Sequence, residues 1–283
     1  MNQNKSFQNL LIKEMQIRNY SLRTIDTYCK LLCNLEKEFG KSLYEITTEN
    51  FKSKLHFMIT KKGAATSTVN QLISAFKIFY VDVYHREWEE FHVKRPRSEK
   101  KLPIVLSLEE VGRMISVTNN LKHKSILMLT YSAGLRRMEV LQIKPKDIDS
   151  QRMQVRVVQG KGKKDRYTIL SQKTLETLRE YYKTERPEKY LFEPTRHKGK
   201  PLSERTMEHI VKNSAKKAGL KKDVSFHTLR HCFATHLLEA GVNLRQIQQF
   251  MGHTSFKTTA VYLHVAHIKT NEFTSPLDKM NLY

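Results

Sequence analysis

Four short segments carry side chains whose types and spacing suit chemistry on an anion. In Ala133-Gly134-Leu135-Arg136-Arg137-Met138-Glu139-Val140, Gly134 breaks one helical pattern and Arg136 falls near the start of the next. Free backbone amides at a helix start already favour an anion. Arg137 is one step round the helix and points elsewhere, and Glu139 reads as a structural partner of neighbouring basic groups. The second segment, Gly160-Lys161-Gly162-Lys163-Lys164, sets three lysines at a turn whose glycines let the backbone approach a phosphate closely. In the third, His227 and Arg230 are three apart at a helix start and share a face. In the fourth, Gly252 marks a turn before His253, Thr254 or Ser255 can cap the following helix, and Tyr262 lies about two turns along it. The first, second and fourth have a plainer reading when taken alone: an arginine paired with a surface acid, a solvated charged turn, and one of 12 tyrosines used in packing.

The sequence also narrows the chemistry by what it lacks. There is no Gly-rich loop ending in Lys-Ser/Thr, and no carboxylate cluster of the kind that holds two metal ions. The expectation is a reaction without cofactor or metal, using cations and a side-chain nucleophile. Fifty Lys and Arg against 28 Asp and Glu leave a net charge of +22, which points to a polyanion and above all to nucleic acid. Residues 1–93 hold 13 basic and 10 acidic side chains, residues 94–101 hold 5 and 1, and residues 102–283 hold 32 and 17. No apolar run approaches the ~20 residues that span a bilayer, and the start lacks the apolar core of a secretory signal. A cytoplasmic protein is expected, with Cys29, Cys33 and Cys232 as small buried hydrophobes in a reducing compartment.

The elements that must position these groups are mostly helical. Residues 1–93 read as a small bundle. Its first amphipathic piece runs from Phe7 to Arg18, and a second is capped by Ser21 and ended by Gly40. A third opens at Thr48 or Asn50, and a fourth is capped by Ser67. Residues 94–103 are basic and bounded by Pro96 and Pro103, and read as an extended linker. Beyond it, Ser107 to Glu110 matches a capping box, and a helix from Lys122 to Ser132 closes at Gly134. Residues 153–158 alternate as a strand that returns over 166–170. Helices follow from Gln172 to Lys183, Glu204 to Ala218, Thr228 to Ala240 and Leu244 to Met251.

Taken in order, Arg136, Lys161, His227, Arg230, His253 and Tyr262 resemble the active-site pattern of the tyrosine recombinase (phage integrase) family. The stretches AGLRRMEVL, GKGKKDR, HTLRHCFATHLLEAG and MGHTSFKTTAVYLHV are similar to its successive boxes. The chain looks like the compact Xer-like members, and its ending Thr274-Ser275-Pro276-Leu277-Asp278 resembles integron-integrase tails. The resemblance implies a mainly α fold: a SAM-like core-binding domain over 1–93, a basic linker over 94–103, and a catalytic domain with a small antiparallel β-sheet or hairpin and a C-terminal tail over 104–283. It implies a site-specific recombinase or integrase that cleaves and rejoins DNA through a 3′-phosphotyrosine at Tyr262. Arg136 and Arg230 would hold the phosphate with His253, His227 would assist proton transfer, and Lys161 would protonate the leaving oxygen. Lys163 and Lys164 are close enough to compete for that last role, although the family pattern selects the lysine between the glycines. His231 and His264 fall outside the family positions and are assigned to packing or solvent.

The implied partner is a double-stranded recombination site at the nucleoid, bound by a homotetramer, alone or together with a related recombinase. Val265, Ala266, Ile268 and Phe273 of the tail would provide an apolar face for exchange between subunits. Two alternatives remain. A type IB topoisomerase uses similar groups only to relax supercoils, and an inactive relative would bind DNA alone.

Overall fold

The computed structural model describes residues 3–88, 92–97, 102–158 and 165–267. The chain divides into two compact units, Met1–Lys100 and Lys101–Tyr283.

The first unit is built from α1 (Gln3–Ile17), α2 (Leu22–Phe39), α3 (Thr48–Thr60) and α4 (Thr66–Ile78), with α4 widening into a π turn over Phe79–Val83. Apolar residues at helical spacing form its core: Phe7, Leu11 and Met15 from α1, Leu32 and Leu35 from α2, Phe51 from α3, and Phe76 from α4. Phe51 and Phe76 stack at 4.4 Å. The Ser21 hydroxyl accepts from the Thr24 amide at 3.2 Å, and Gly40 ends α2 at φ +61°. Thr47 rather than Thr48 caps α3, in a capping box with Asn50. Ser67 does not cap α4: Ala65 holds that position, because the chain reverses early, with the Ala64 amide bonded to the Met58 carbonyl at 2.8 Å. Arg95, expected in the extended linker, donates to the Asn70 carbonyl and the Ser74 hydroxyl of α4. Of the cysteines only Cys232 is fully buried, while Cys29 and Cys33 are half-buried.

The second unit contains α5 (Leu108–Ser116), α6 (Leu121–Ala133), α7 (Arg137–Gln142), a three-stranded antiparallel sheet and five further helices. The strands are β1 (Ile148–Asp149), β2 (Gln154–Val157) and β3 (Arg166–Ile169) in the order β1-β2-β3, with Val155 opposite Thr168. The helices are α8 (Gln172–Glu185), α9 (Glu204–Lys217), α10 (Phe226–Glu239), α11 (Leu244–Met251) and α12 (Phe256–Ala260).

Helix α6 is central to this unit. Ile126, Leu127, Leu129 and Ala133 are fully buried, and the helix packs on α8 and α10. The Thr168 hydroxyl donates to the Ala133 carbonyl at 2.9 Å and ties the sheet to the end of α6. A smaller apolar cluster of Phe233, Ala234, Ile247, Met251 and Tyr262 joins α10, α11 and the segment after α12. Tyr262 is not two turns along one α-helix: α12 ends at Ala260, and Val261–His264 tighten into a 3-10 turn. The β-branched run Thr258, Thr259 and Val261 weakens the α-helix there. No helix among the described residues is long and apolar enough to cross a membrane.

Candidate active site

Two glycine-terminated helix ends build the floor of the site. Gly134 closes α6 at φ +61°, and a Cβ there would stand 2.2 Å from the Phe233 ring. Gly252 closes α11 at φ +59°, and a Cβ there would stand 2.6 Å from Cδ of Arg166. Both positions therefore need glycine for conformation and for space. The carbonyls at these helix ends, negative in both hydrogen-bonding and dipole terms, hold two guanidiniums. Arg230 donates to Gly134 and to Met251 at 2.5 Å each, and Arg136 donates to Gly252 at 3.0 Å.

Glu139, on the first turn of α7, ties these cations together. Its carboxylate accepts from the Arg136 amide and Nη1 at 2.7 Å each, and from Nη1 and Nη2 of Arg166 at 2.7 Å each. Burial works against its charge, but the hydrogen bonds and charge of Arg166, aided by Arg136, hold its pKa down to about 2. Arg166 also donates from Nε to the Phe250 carbonyl at 2.8 Å. Burial and the neighbouring Arg136 lower Arg230 to about 9, which leaves it cationic near neutrality. Arg137 turns away, as expected, and pairs with Glu204 and Glu208 on α9.

Above this floor lies a cavity of about 350 Å³ lined by Arg136, His227, Arg230, His253, Lys257 and Tyr262. Five of the six residues expected to act together thus converge, from segments that follow one another in the order Arg136, His227 with Arg230, His253, Tyr262. The sixth, Lys161, lies outside the described residues, as do Lys163 and Lys164 and the tail residues Ile268 and Phe273. His227 is lowered by burial and by Arg230, so it is neutral near pH 7. His253 is lowered to about 3 by burial and by Arg230, and its Nδ1 lies 2.9 Å from the buried Thr259 hydroxyl. Tyr262 is 2% exposed, and burial lifts its phenol to about 12 although Arg230 and Arg136 pull it down.

Three contributors were not anticipated from the sequence. His231, assigned to packing or solvent, lines the cavity and has Nδ1 3.0 Å from the Tyr262 hydroxyl. Its position four residues after His227, on the same helical face, was the available signal. Arg166 and Thr259 act through Glu139 and His253, and no local pattern marks them.

A helical unit joined to a unit whose cavity gathers two arginines, three histidines and a tyrosine defines a class of protein, and the comparisons agree with it. The phage integrase family matches residues 105–268, and its N-terminal SAM-like domain matches residues 7–90. The chain belongs to the phage integrase family of tyrosine recombinases. It is 40% identical over 267 residues to an integrase/recombinase of Sinorhizobium fredii, covering 94% of this chain and 86% of that one. It is 36% identical over 253 residues to the tyrosine recombinase XerA of Pyrococcus horikoshii, covering 89% and 86%. The fold is similar to that of the XerH site-specific recombinase bound to its palindromic difH substrate, with a TM-score of 0.71 at 24% identity over 91% of this chain and 81% of that one.

Proposed function

We propose that this enzyme recombines DNA at specific sites by attack of Tyr262 on a backbone phosphate. The observation that carries this reading is the convergence of Arg136, Arg230, His227, His253 and Tyr262 on one cavity. The Tyr262 oxygen forms a bond to phosphorus as the bond from phosphorus to the 5′ oxygen breaks. The product is a 3′-phosphotyrosine and a 5′ hydroxyl. One phosphodiester is exchanged for another ester, so the energy of the broken bond is kept for rejoining.

Charge accumulates on the non-bridging oxygens during attack. Arg136 and Arg230 are the bidentate donors for it, and a neutral His253 adds a further hydrogen bond. When Thr259 donates to Nδ1 of His253, the ring proton stands on Nε2, the tautomer that can donate to phosphate. A phenol of pKa about 12 is protonated at rest, so its proton must leave as the bond forms. His227, neutral near pH 7, is assigned to assist that transfer, and Lys161 to protonate the leaving 5′ oxygen.

The +22 charge supports a double-stranded DNA partner, and with it a place at the nucleoid. Residues 1–93 act as the core-binding half of a clamp, and residues 104–283 as the catalytic half joined to it by the basic 94–103 linker. Two duplexes require four active sites, so the assembly proposed on DNA is a homotetramer linked by exchange of the C-terminal tails.

A nicked suicide substrate, which loses its 5′ fragment after cleavage, should accumulate a denaturation-resistant protein–DNA adduct. Tyr262→Phe should bind the same DNA with unchanged affinity and form none. An adduct in that variant would show that another residue attacks.

A further inference from the structure

One contact in the cavity has no role in the chemistry above. The helix α10 presents His227, Arg230 and His231 together, with the His227 and His231 rings edge to face at 6.2 Å. His231 in turn faces the ring of Tyr262 at 5.8 Å and meets its hydroxyl at 3.0 Å through Nδ1. The rest of the phenol is sunk in the apolar cluster of Phe233, Ala234, Ile247 and Met251. A phenolic hydroxyl taken out of water in that way needs a partner, or burial costs the full desolvation of the group. Among the described residues, His231 is that partner.

The direction of the bond follows from charge. His231 sits beside His227 and Arg230, and burial with these two neighbours lowers it to about 4. It is neutral near pH 7, where the phenol is still protonated, so Tyr262 donates and Nδ1 accepts. The imidazole proton then stands on Nε2.

We propose that His231 is a further catalytic residue: its Nδ1 grips the attacking oxygen and fixes the phenol's rotation toward the two arginines. A phenol held only by its ring turns freely about its C–O bond, and its oxygen lone pairs then sample every direction around that axis. Accepting the hydroxyl hydrogen at one fixed point leaves the lone pairs in a defined plane, which is the orientation an in-line attack requires. The hydrogen in this bond is the proton that the phenol gives up on attack, so Nδ1 of His231 receives it first, and His227, ring to ring with His231, assists its onward transfer.

This inference rests on Tyr262 being the nucleophile, and the test separates the two. Single-turnover adduct formation on the suicide substrate is measured at saturating DNA for the wild type and for His231→Phe, His231→Asn, His231→Gln and Tyr262→Phe, alongside thermal melting and DNA affinity. His231→Phe keeps the ring volume but removes the acceptor, and should slow adduct formation about tenfold with DNA affinity unchanged. In His231→Asn the side-chain oxygen takes the place of Nδ1 and should restore most of the rate. His231→Gln carries its oxygen one bond further, where Nε2 stood, and should stay slow.

A merely structural histidine would not distinguish Asn from Gln at equal melting temperature. Wild-type rates in His231→Phe, or equal rates in the Asn and Gln variants, would overturn the proposal. An adduct in Tyr262→Phe would overturn the nucleophile instead.

Discussion

The guanidinium of Arg166 meets both carboxylate oxygens of Glu139 at 2.7 Å, and its third donor reaches the carbonyl of Phe250 at 2.8 Å. This one side chain joins the first residue of β3 to the start of α7 and to the last turn of α11. Glu139 in turn orients Arg136, so a residue that does not line the cavity sets the position of one that does.

Arg166→Ala should therefore destabilise the protein by about 3 kcal/mol, because Glu139 keeps its burial and loses its main counter-charge. Glu139→Gln alone should cost a similar amount, and the double variant much less than the sum. A double-mutant cycle by chemical denaturation measures this, and additive losses would show that the two residues are energetically independent. Adduct formation should also fall in Arg166→Ala.

A methyl group at Gly252 would be felt in two ways. It would strain a backbone at φ +59° and press on Cδ of Arg166 at 2.6 Å. Gly252→Ala should lower stability by about 1–3 kcal/mol. It should also shift the carbonyl that accepts from Arg136, so adduct formation should fall at saturating DNA. Gly219→Ala, also at positive φ but with open space around its Cβ, should cost stability without touching the reaction rate.

Acid should unfold the catalytic unit through its histidines. His253 and His231 titrate at about 3 and about 4 in the folded chain, and His227 is lowered as well. Unfolded histidines take up protons near pH 6.5. Between these values the unfolded state binds more protons, so stability is complete above about pH 6.5 and is lost as pH falls towards 4. Melting temperature should drop by on the order of 5 °C between pH 7.5 and pH 5. His253→Asn should flatten that slope, since one fewer site takes up a proton on unfolding. A slope unchanged in this variant would mean that His253 is not held neutral by the fold.

Binding to DNA should weaken steeply with salt, as expected when many lysines and arginines displace counterions from phosphates. Deleting residues 1–93 should weaken it further by removing half of the proposed clamp. A fragment 102–283 that bound the site as tightly as the full chain, in a fluorescence anisotropy titration, would refute the clamp.

Much of this architecture could be read locally. Ser21, Gly40, Gly134 and the Ser107–Glu110 box act within a few residues of themselves, and so do the amides they cap. The grouping of Arg136, His227, Arg230, His253 and Tyr262 was legible only through resemblance to a family, since the Arg136 and Tyr262 segments alone have commoner explanations. What stayed hidden depends on distant approach. The strand β1 is two residues long and exists only by pairing with β2. The Arg166–Glu139 contact spans 27 residues and the His231–Tyr262 contact 31, with no periodicity to announce either. The 3-10 turn at Tyr262 likewise reflects where the phenol must be buried, a condition imposed by α10 and α11.

The order in which the cavity's side chains occur along the chain bears on how the enzyme is made. A ribosome releases Arg136 first, then His227 and Arg230, then His253, and Tyr262 last of these. Chains fold from the N-terminus as they emerge. If Tyr262 is the nucleophile as proposed, a nascent chain acquires its basic side chains before the one that would cut a polyanion. On the proposed roles, an interrupted translation product would bind DNA without cutting it, since the nucleophile is the last of these side chains to emerge and to settle against α10 and α11.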